Sequence, residues 1–155
     1  MKIHTHSAPL YSSWQNHRMV KKLSLLLIED DEIERMKFNR VCQKNNISCI
    51  VNEAMNGEKA LEFLHETQEL PHLILVDLNM PKMNGIEFLK ILKNNDRLKY
   101  IPTMVVSSSD NHEDVKKSYE NGATGYLIKP LRLQDYETKI ISLFNYWSNN
   151  EIVQS

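Results

Sequence analysis

Leu73-Ile74-Leu75-Val76-Asp77-Leu78-Asn79-Met80-Pro81 is the stretch on which the reading of the fold turns. Leu73 to Val76 is apolar on both faces, so it reads as a strand buried on both sides. Such strands belong to parallel sheets covered above and below by helices. A carboxylate, Asp77, closes the strand, and Met80-Pro81 then turns the chain. A charged group at that place has little structural use.

Working outward, four more strand-helix units appear. Residues 23–28 (Leu-Ser-Leu-Leu-Leu-Ile) form a first buried strand, followed by Glu29-Asp30-Asp31. A helix over 32–45 carries Phe38, Val41 and Cys42 on one stripe, which Ile33 and Met36 fit less well. Residues 47–53 form the second strand. Asn56-Gly57 opens a helix whose inner face is Ala60, Phe63 and Leu64. Past Pro81, Asn84 with Glu87 is a capping box for a helix to Lys93, with Phe88, Leu89 and Leu92 inward. The fourth strand is 101–107. Asp110 with Glu113 caps the next helix, which faces Val115, Ser118 and Tyr119 inward and stops at Asn121-Gly122. Residues 124–128 form a short fifth strand before Lys129-Pro130. The final helix, 132–147, sets Tyr136, Ile140, Leu143, Phe144 and Trp147 on one face, and core packing is its expected use.

Five strands alternate with five helices, and right-handed crossovers make the α/β sheet doubly wound. Ligands in such sheets sit beyond the carboxyl ends of the strands. Those ends carry Glu29 and Asp30, Asp77, Ser107 and Lys129. Carboxylates crowded together call for a cation, and hard oxygen donors in this number suit Mg²⁺. A lysine ammonium and a serine hydroxyl beside them make a phosphoryl-transfer arrangement. Taken singly, Asp30 or Asp31 also suits a helix cap, Ser107 a turn and Lys129 the surface.

At the level of motifs, LLLIEDD (25–31), LVDLNMPKMNG (75–85), VVSSS (105–109) and GATGYLIKP (122–130) resemble the response-regulator receiver domain of two-component signalling. The resemblance runs from about Lys22 to Trp147. It implies a flavodoxin-like five-stranded parallel sheet in the order 2-1-3-4-5. Asp77 then matches the phosphoacceptor, and Asp30 a direct metal ligand. Glu29 matches the acidic neighbour acting through metal-bound water, and Asn79 a backbone-carbonyl ligand. Ser107 matches the hydroxyl that follows the phosphoryl group, Lys129 the lysine that pairs with it, and Tyr126 the aromatic that swings with signalling state. Lys129-Pro130 matches a bond usually cis in the family. An aspartate, with a reference pKa near 3.9, is already an anion at neutral pH and attacks phosphohistidine without a base.

The resemblance further implies a sensor histidine kinase or histidine phosphotransfer protein as donor. The output is a downstream protein or a second copy, bound through the 111–121 helix, the fifth strand and the 132–147 helix. With 25 residues after Pro130, mostly helix, a stand-alone receiver with no separate output enzyme is expected. Two other classes remain. One is a phosphatase of the haloacid-dehalogenase type, for which Asn79 stands where an acid/base carboxylate is needed. The other is a binding module that never takes phosphate.

Composition narrows the rest. A formal charge of −1 gives no reason to expect nucleic acid or anionic membrane as a partner. No apolar run approaches the ~20 residues of a membrane span, and no secretory signal is evident, so a cytoplasmic protein is expected. Cys42 and Cys49 are too few for a disulfide scaffold and read as buried free thiols. Residues 1–21 show no periodicity and read as a flexible leader, with His4, His6 and His17 solvated rather than holding a metal. His65, His72 and His112 read as surface, and residues 148–155 as a polar frayed tail.

Overall fold

The computed structural model describes residues 1–7 and 22–153. Its strands are β1 (Ile3–His6), β2 (Leu23–Ile28), β3 (Cys49–Ala54), β4 (Leu73–Val76), β5 (Thr103–Ser107) and β6 (Gly125–Ile128). The helices are α1 (Glu32–Lys44), α2 (Gly57–Glu66), α3 (Gly85–Lys93), α4 (His112–Glu120) and α5 (Leu133–Trp147). They build one α/β sheet in the order β1-β3-β2-β4-β5-β6. Strands β2 to β6 are parallel, in the arrangement the motifs implied.

The apolar character of β2 and β4 follows from alternation. Leu25, Leu27, Leu73 and Leu75 enter a core with Phe38, Val41 and Cys42 of α1 and Tyr136, Ile140, Phe144 and Trp147 of α5. Leu26, Ile28, Ile74 and Val76 enter the opposite core, with Ala60 and Leu64 of α2 and Phe88, Leu89 and Leu92 of α3. Successive side chains point to opposite faces, so a strand covered twice has no polar side. Ile33 and Met36 lie exposed on α1, which accounts for their poor fit to the stripe. Cys42 and Cys49 are free and buried.

Several expectations are corrected. Residues 3–6 are not part of a flexible leader but an edge strand, antiparallel to β3, pairing Ile3 with Asn52 and His6 with Cys49. The pattern was hidden because the inward side chains are polar. His4 Nε2 lies 3.0 Å from Glu53 Oε1, and His6 Nε2 is 2.8 Å from Asn39 Oδ1. His17, and the rest of that leader from residue 8 to 21, lie outside the described residues. The cap of α4 is Asn111, whose Oδ1 accepts the Glu113 N–H at 2.9 Å, one residue past Asp110. Tyr119 is exposed; Ser118 takes the inward place. His72 is half-buried, and its Nδ1 accepts the Ser24 N–H at 2.9 Å. The Lys129-Pro130 bond is trans, since no cis peptide occurs among the described residues. In the tail, Ile152 packs against the α1/α5 core.

Candidate functional site

The carboxyl ends of β2, β4, β5 and β6 meet on one rim because the backbone ladder continues past each strand. Asp77 N–H donates to the Ile28 carbonyl at 3.1 Å, Glu29 N–H to Ala54 at 3.0 Å and Lys129 N–H to Ser107 at 2.8 Å. Glu29, Asp77, Ser107 and Lys129 are thereby fixed at their roots. Asp31, not Asp30, caps α1: its Oδ1 accepts the Ile33 N–H at 2.8 Å. Asp30 remains exposed and groups with Glu29 and Asp77, carboxylate oxygens of all three lying within 4.8 Å of one another. That trio of hard donors fits a divalent cation.

Lys129 closes the other side. Its Nζ is 3.2 Å from Glu29 Oε2, 3.6 Å from Glu34 Oε2 and 3.9 Å from Asp77 Oδ2. Burial pushes the Glu29 carboxyl up to about 8; Lys129 opposes this and Asp77 adds to it. For Lys129, burial alone would depress the ammonium, yet Glu29, Asp77 and Glu34 outweigh it and hold its pKa above the ordinary value. Crowding thus favours a proton on Glu29 and the charged form of Lys129.

The β4–α3 loop positions the rest. Met83 N–H donates to the Pro81 carbonyl at 2.8 Å across Lys82, whose φ is +65°. This tight γ-turn is an uncommon conformation for a non-glycine residue. The exposed Asn79 presents its N–H 3.4 Å from Asp77 Oδ1. Asn84 Oδ1 accepts the Glu87 N–H at 2.9 Å, the N-cap half of a capping box, while the Glu87 Oε1 accepts from the Asn84 side-chain amide at 3.1 Å rather than from its backbone N–H.

Ser107 is fully buried at the end of β5, and its Oγ accepts the Ser109 N–H at 3.2 Å. Tyr126 is half-buried; its hydroxyl donates to the Ser109 carbonyl at 2.8 Å. Ser109 in turn donates its hydroxyl to Asp114 Oδ2 of α4 at 2.6 Å. One residue therefore touches the rim serine, the tyrosine and α4.

Two contributors escaped the sequence reading. Glu34 reaches Lys129, as above. Arg35 Nη1 donates to the Glu29 carbonyl at 2.7 Å and the Asp30 carbonyl at 3.0 Å, clamping the acidic loop. Behind it, Arg35 Nε lies 3.9 Å from Glu53 Oε2, and Asn39 Nδ2 donates to Glu53 Oε1 at 2.9 Å. The available signal was the cap at Asp31. It fixes the first turn of α1 beside the rim, and helical side chains lean toward the N-terminus.

Residues 25–141 match the response regulator receiver domain family, and the chain belongs to it. It is 34% identical over 128 residues to the response regulator Rcp1 of Synechocystis, covering 79% of this chain and 87% of that one. It is 32% identical over 127 residues to the probable methanogenesis regulatory protein FilR2 of Methanothrix harundinacea, covering 79% and 82%. The solved structure of the Mn²⁺-bound form of Rcp1 superposes with a TM-score of 0.76 at 30% identity, covering 86% of this chain and 99% of that one. The phosphorylated cyanobacterial phytochrome response regulator RcpA gives 0.79 at 26% identity, with the same coverage. The class is thus the receiver domain of two-component signalling.

Gly85 offers a direct check on how Asp77 is held. Its N–H donates to the Leu78 carbonyl at 3.0 Å, and an added Cβ would lie 2.6 Å from the Asp77 carbonyl oxygen and 2.9 Å from Leu78 Cα. Backbone atoms cannot swing aside as a side chain can. Gly85→Ala is expected to cost about 1–3 kcal/mol in urea denaturation and to move the Asp77 amide resonance. An unchanged midpoint with an unchanged resonance would refute this account of the loop.

Proposed function

We propose that this chain accepts a phosphoryl group on Asp77 from the phosphohistidine of a sensor histidine kinase or histidine phosphotransfer protein. The observation that supports it is the convergence of Lys129 with Glu29, Asp30 and Asp77 at strand ends. Asp77 Oδ attacks phosphorus in line, forming a P–O bond as the P–N bond to histidine breaks. Lys129 shifts toward the transferred oxygens, and Ser107 turns its hydroxyl to donate to one of them. Asp30, Asp77, the Asn79 carbonyl and, through water, Glu29 would hold Mg²⁺, which when bound supplies neutralising charge to the phosphoryl oxygens. Water later hydrolyses the acyl phosphate, unless the group passes on in a relay. All of this takes place in the cytoplasm, and no described helix is long and apolar enough to cross a membrane.

Output follows from Ser107. Its movement releases the Ser109 contact and lets Tyr126 turn inward, shifting α4, β6 and α5. A downstream protein or a second copy binds that face. Exposed there are Lys116, Lys117, Glu120 and Arg132, together with Tyr119, Leu131, Leu133 and Tyr146.

Intact-mass spectra after acetyl phosphate treatment should show one phosphate adduct, lost in Asp77→Asn. An adduct at the unaltered level in that variant would overturn the assignment. Mg²⁺ affinity should rise with pH between about 6.5 and 8.5, with protons released on binding, because the Glu29 proton must leave. Calorimetry in buffers of different ionisation heat reads both, and a flat profile would contradict the crowded-carboxylate picture. With beryllofluoride and Mg²⁺, amide shifts should spread across residues 111–147. Shifts confined to the loops around Asp30 and Asp77 would rule out this output face.

A further inference from the structure

Lys129 is shared unequally. Of its three carboxylate neighbours, Asp77 is the most distant at 3.9 Å, while Glu29 at 3.2 Å and Glu34 at 3.6 Å hold the ammonium on the α1 side. Glu34 belongs to none of the strand ends; it stands in the first turn of α1. Its Oε2 is buried and makes no hydrogen bond among the described residues, so the ammonium is what that oxygen faces. Its Oε1 lies 3.9 Å from Lys37 Nζ, which sits 4.3 Å from the centre of the Tyr136 ring of α5. The carboxylate is therefore carried by α1, beside a lysine of the same helix that rests on α5, and not by the loops that carry Asp30 and Asp77. A cavity of about 20 Å³ lies where Glu29, Glu34, Asp77 and Lys129 border the apolar side chains of Phe38, Val106 and Ile140. The space beside the ammonium is therefore not completely filled.

We infer that Glu34 is a positioning residue that holds Lys129 away from Asp77 in the unphosphorylated state and so sets the threshold for phosphoryl binding. The inference rests on the phosphoacceptor reading of Asp77. Two effects act in the same direction. An incoming phosphoryl group must draw Lys129 off Glu34, and the Glu34 charge opposes an anion arriving beyond the lysine. A ligand shifts such an equilibrium only by its differential contacts with the two arrangements, and Glu34 contributes to one arrangement alone.

The test is beryllofluoride affinity, measured by calorimetry in the full chain with saturating Mg²⁺. Glu34→Gln keeps the side-chain shape and removes the charge. It should bind beryllofluoride tighter, on the order of five-fold for a partly exposed ion pair. In a Lys129→Met background the same substitution should lose most of that gain, since the effect acts through the lysine. Glu34→Asp retains the charge but draws it back by one methylene, and should fall between Glu34→Gln and the unaltered chain. Without beryllofluoride, the Lys129 Cε and Nζ resonances should move in Glu34→Gln, a signature that a purely packing role for Glu34 would not produce. Mg²⁺ affinity measured alone should stay unchanged; a marked loss would make Glu34 part of the metal site and overturn the inference. Equal beryllofluoride affinity in Glu34→Gln and the unaltered chain also overturns it while leaving the phosphoacceptor reading intact. No beryllofluoride binding by the unaltered chain overturns both.

Discussion

One ammonium among acidic groups is the constraint around which the rim is arranged. Lys129 reaches Glu29, Glu34 and Asp77, which come from three different elements. Desolvating that many carboxylates is costly without a counter-charge, and a buried charge left unpaired costs far more than a paired one gains. The sheet order brings the opposing charge close: β2 lies beside β4, β4 beside β5, and β5 beside β6. Ladder bonds at Asp77, Glu29 and Lys129 then keep each backbone in register beyond the last strand residue. The lysine is held by side-chain contacts alone, whereas the backbones that carry Glu29 and Asp77 are tied into the sheet.

The route away from the rim is short and made of hydrogen bonds. Ser107 Oγ, Ser109 and the Tyr126 hydroxyl form one chain, and Ser109 extends it to Asp114 on α4. No long pathway through the core is needed to relate the strand ends to the α4–β6–α5 face. Ser109 is the shared member of this network: its N–H meets Ser107, its carbonyl meets Tyr126 and its hydroxyl meets Asp114.

Most of this architecture was legible because hydrophobic pattern and strand ends carry it. The strand Leu73–Val76 announced a sheet covered on both faces, and its terminal carboxylate announced the rim. Cap assignments were less secure: Asp110 and Asn111 are both good caps, and only the backbone decides between them. Glu34 and Arg35 were illegible for a different reason. They act by reaching back from a helix, and a charge on an amphipathic helix reads as a solvated face unless the start of that helix is fixed in space. Strand β1 was illegible because its apolar side chain, Ile3, points outward and its histidines point inward. Its signal is inverted, and the partners that justify it, Glu53 and Asn39, lie far along the chain.

That edge strand has only one neighbour and four residues. Elements of this kind open locally with a free energy well below that of global unfolding. Where β1 lifts, Glu53 loses His4 and keeps Arg35 and Asn39. The same Arg35 clamps the carbonyls of Glu29 and Asp30. The N-terminal edge and the acidic loop therefore share one chain of contacts, His4 to Glu53 to Arg35 to the Glu29 and Asp30 carbonyls. An edge of the sheet thus lies one ion pair and one guanidinium away from the acidic loop.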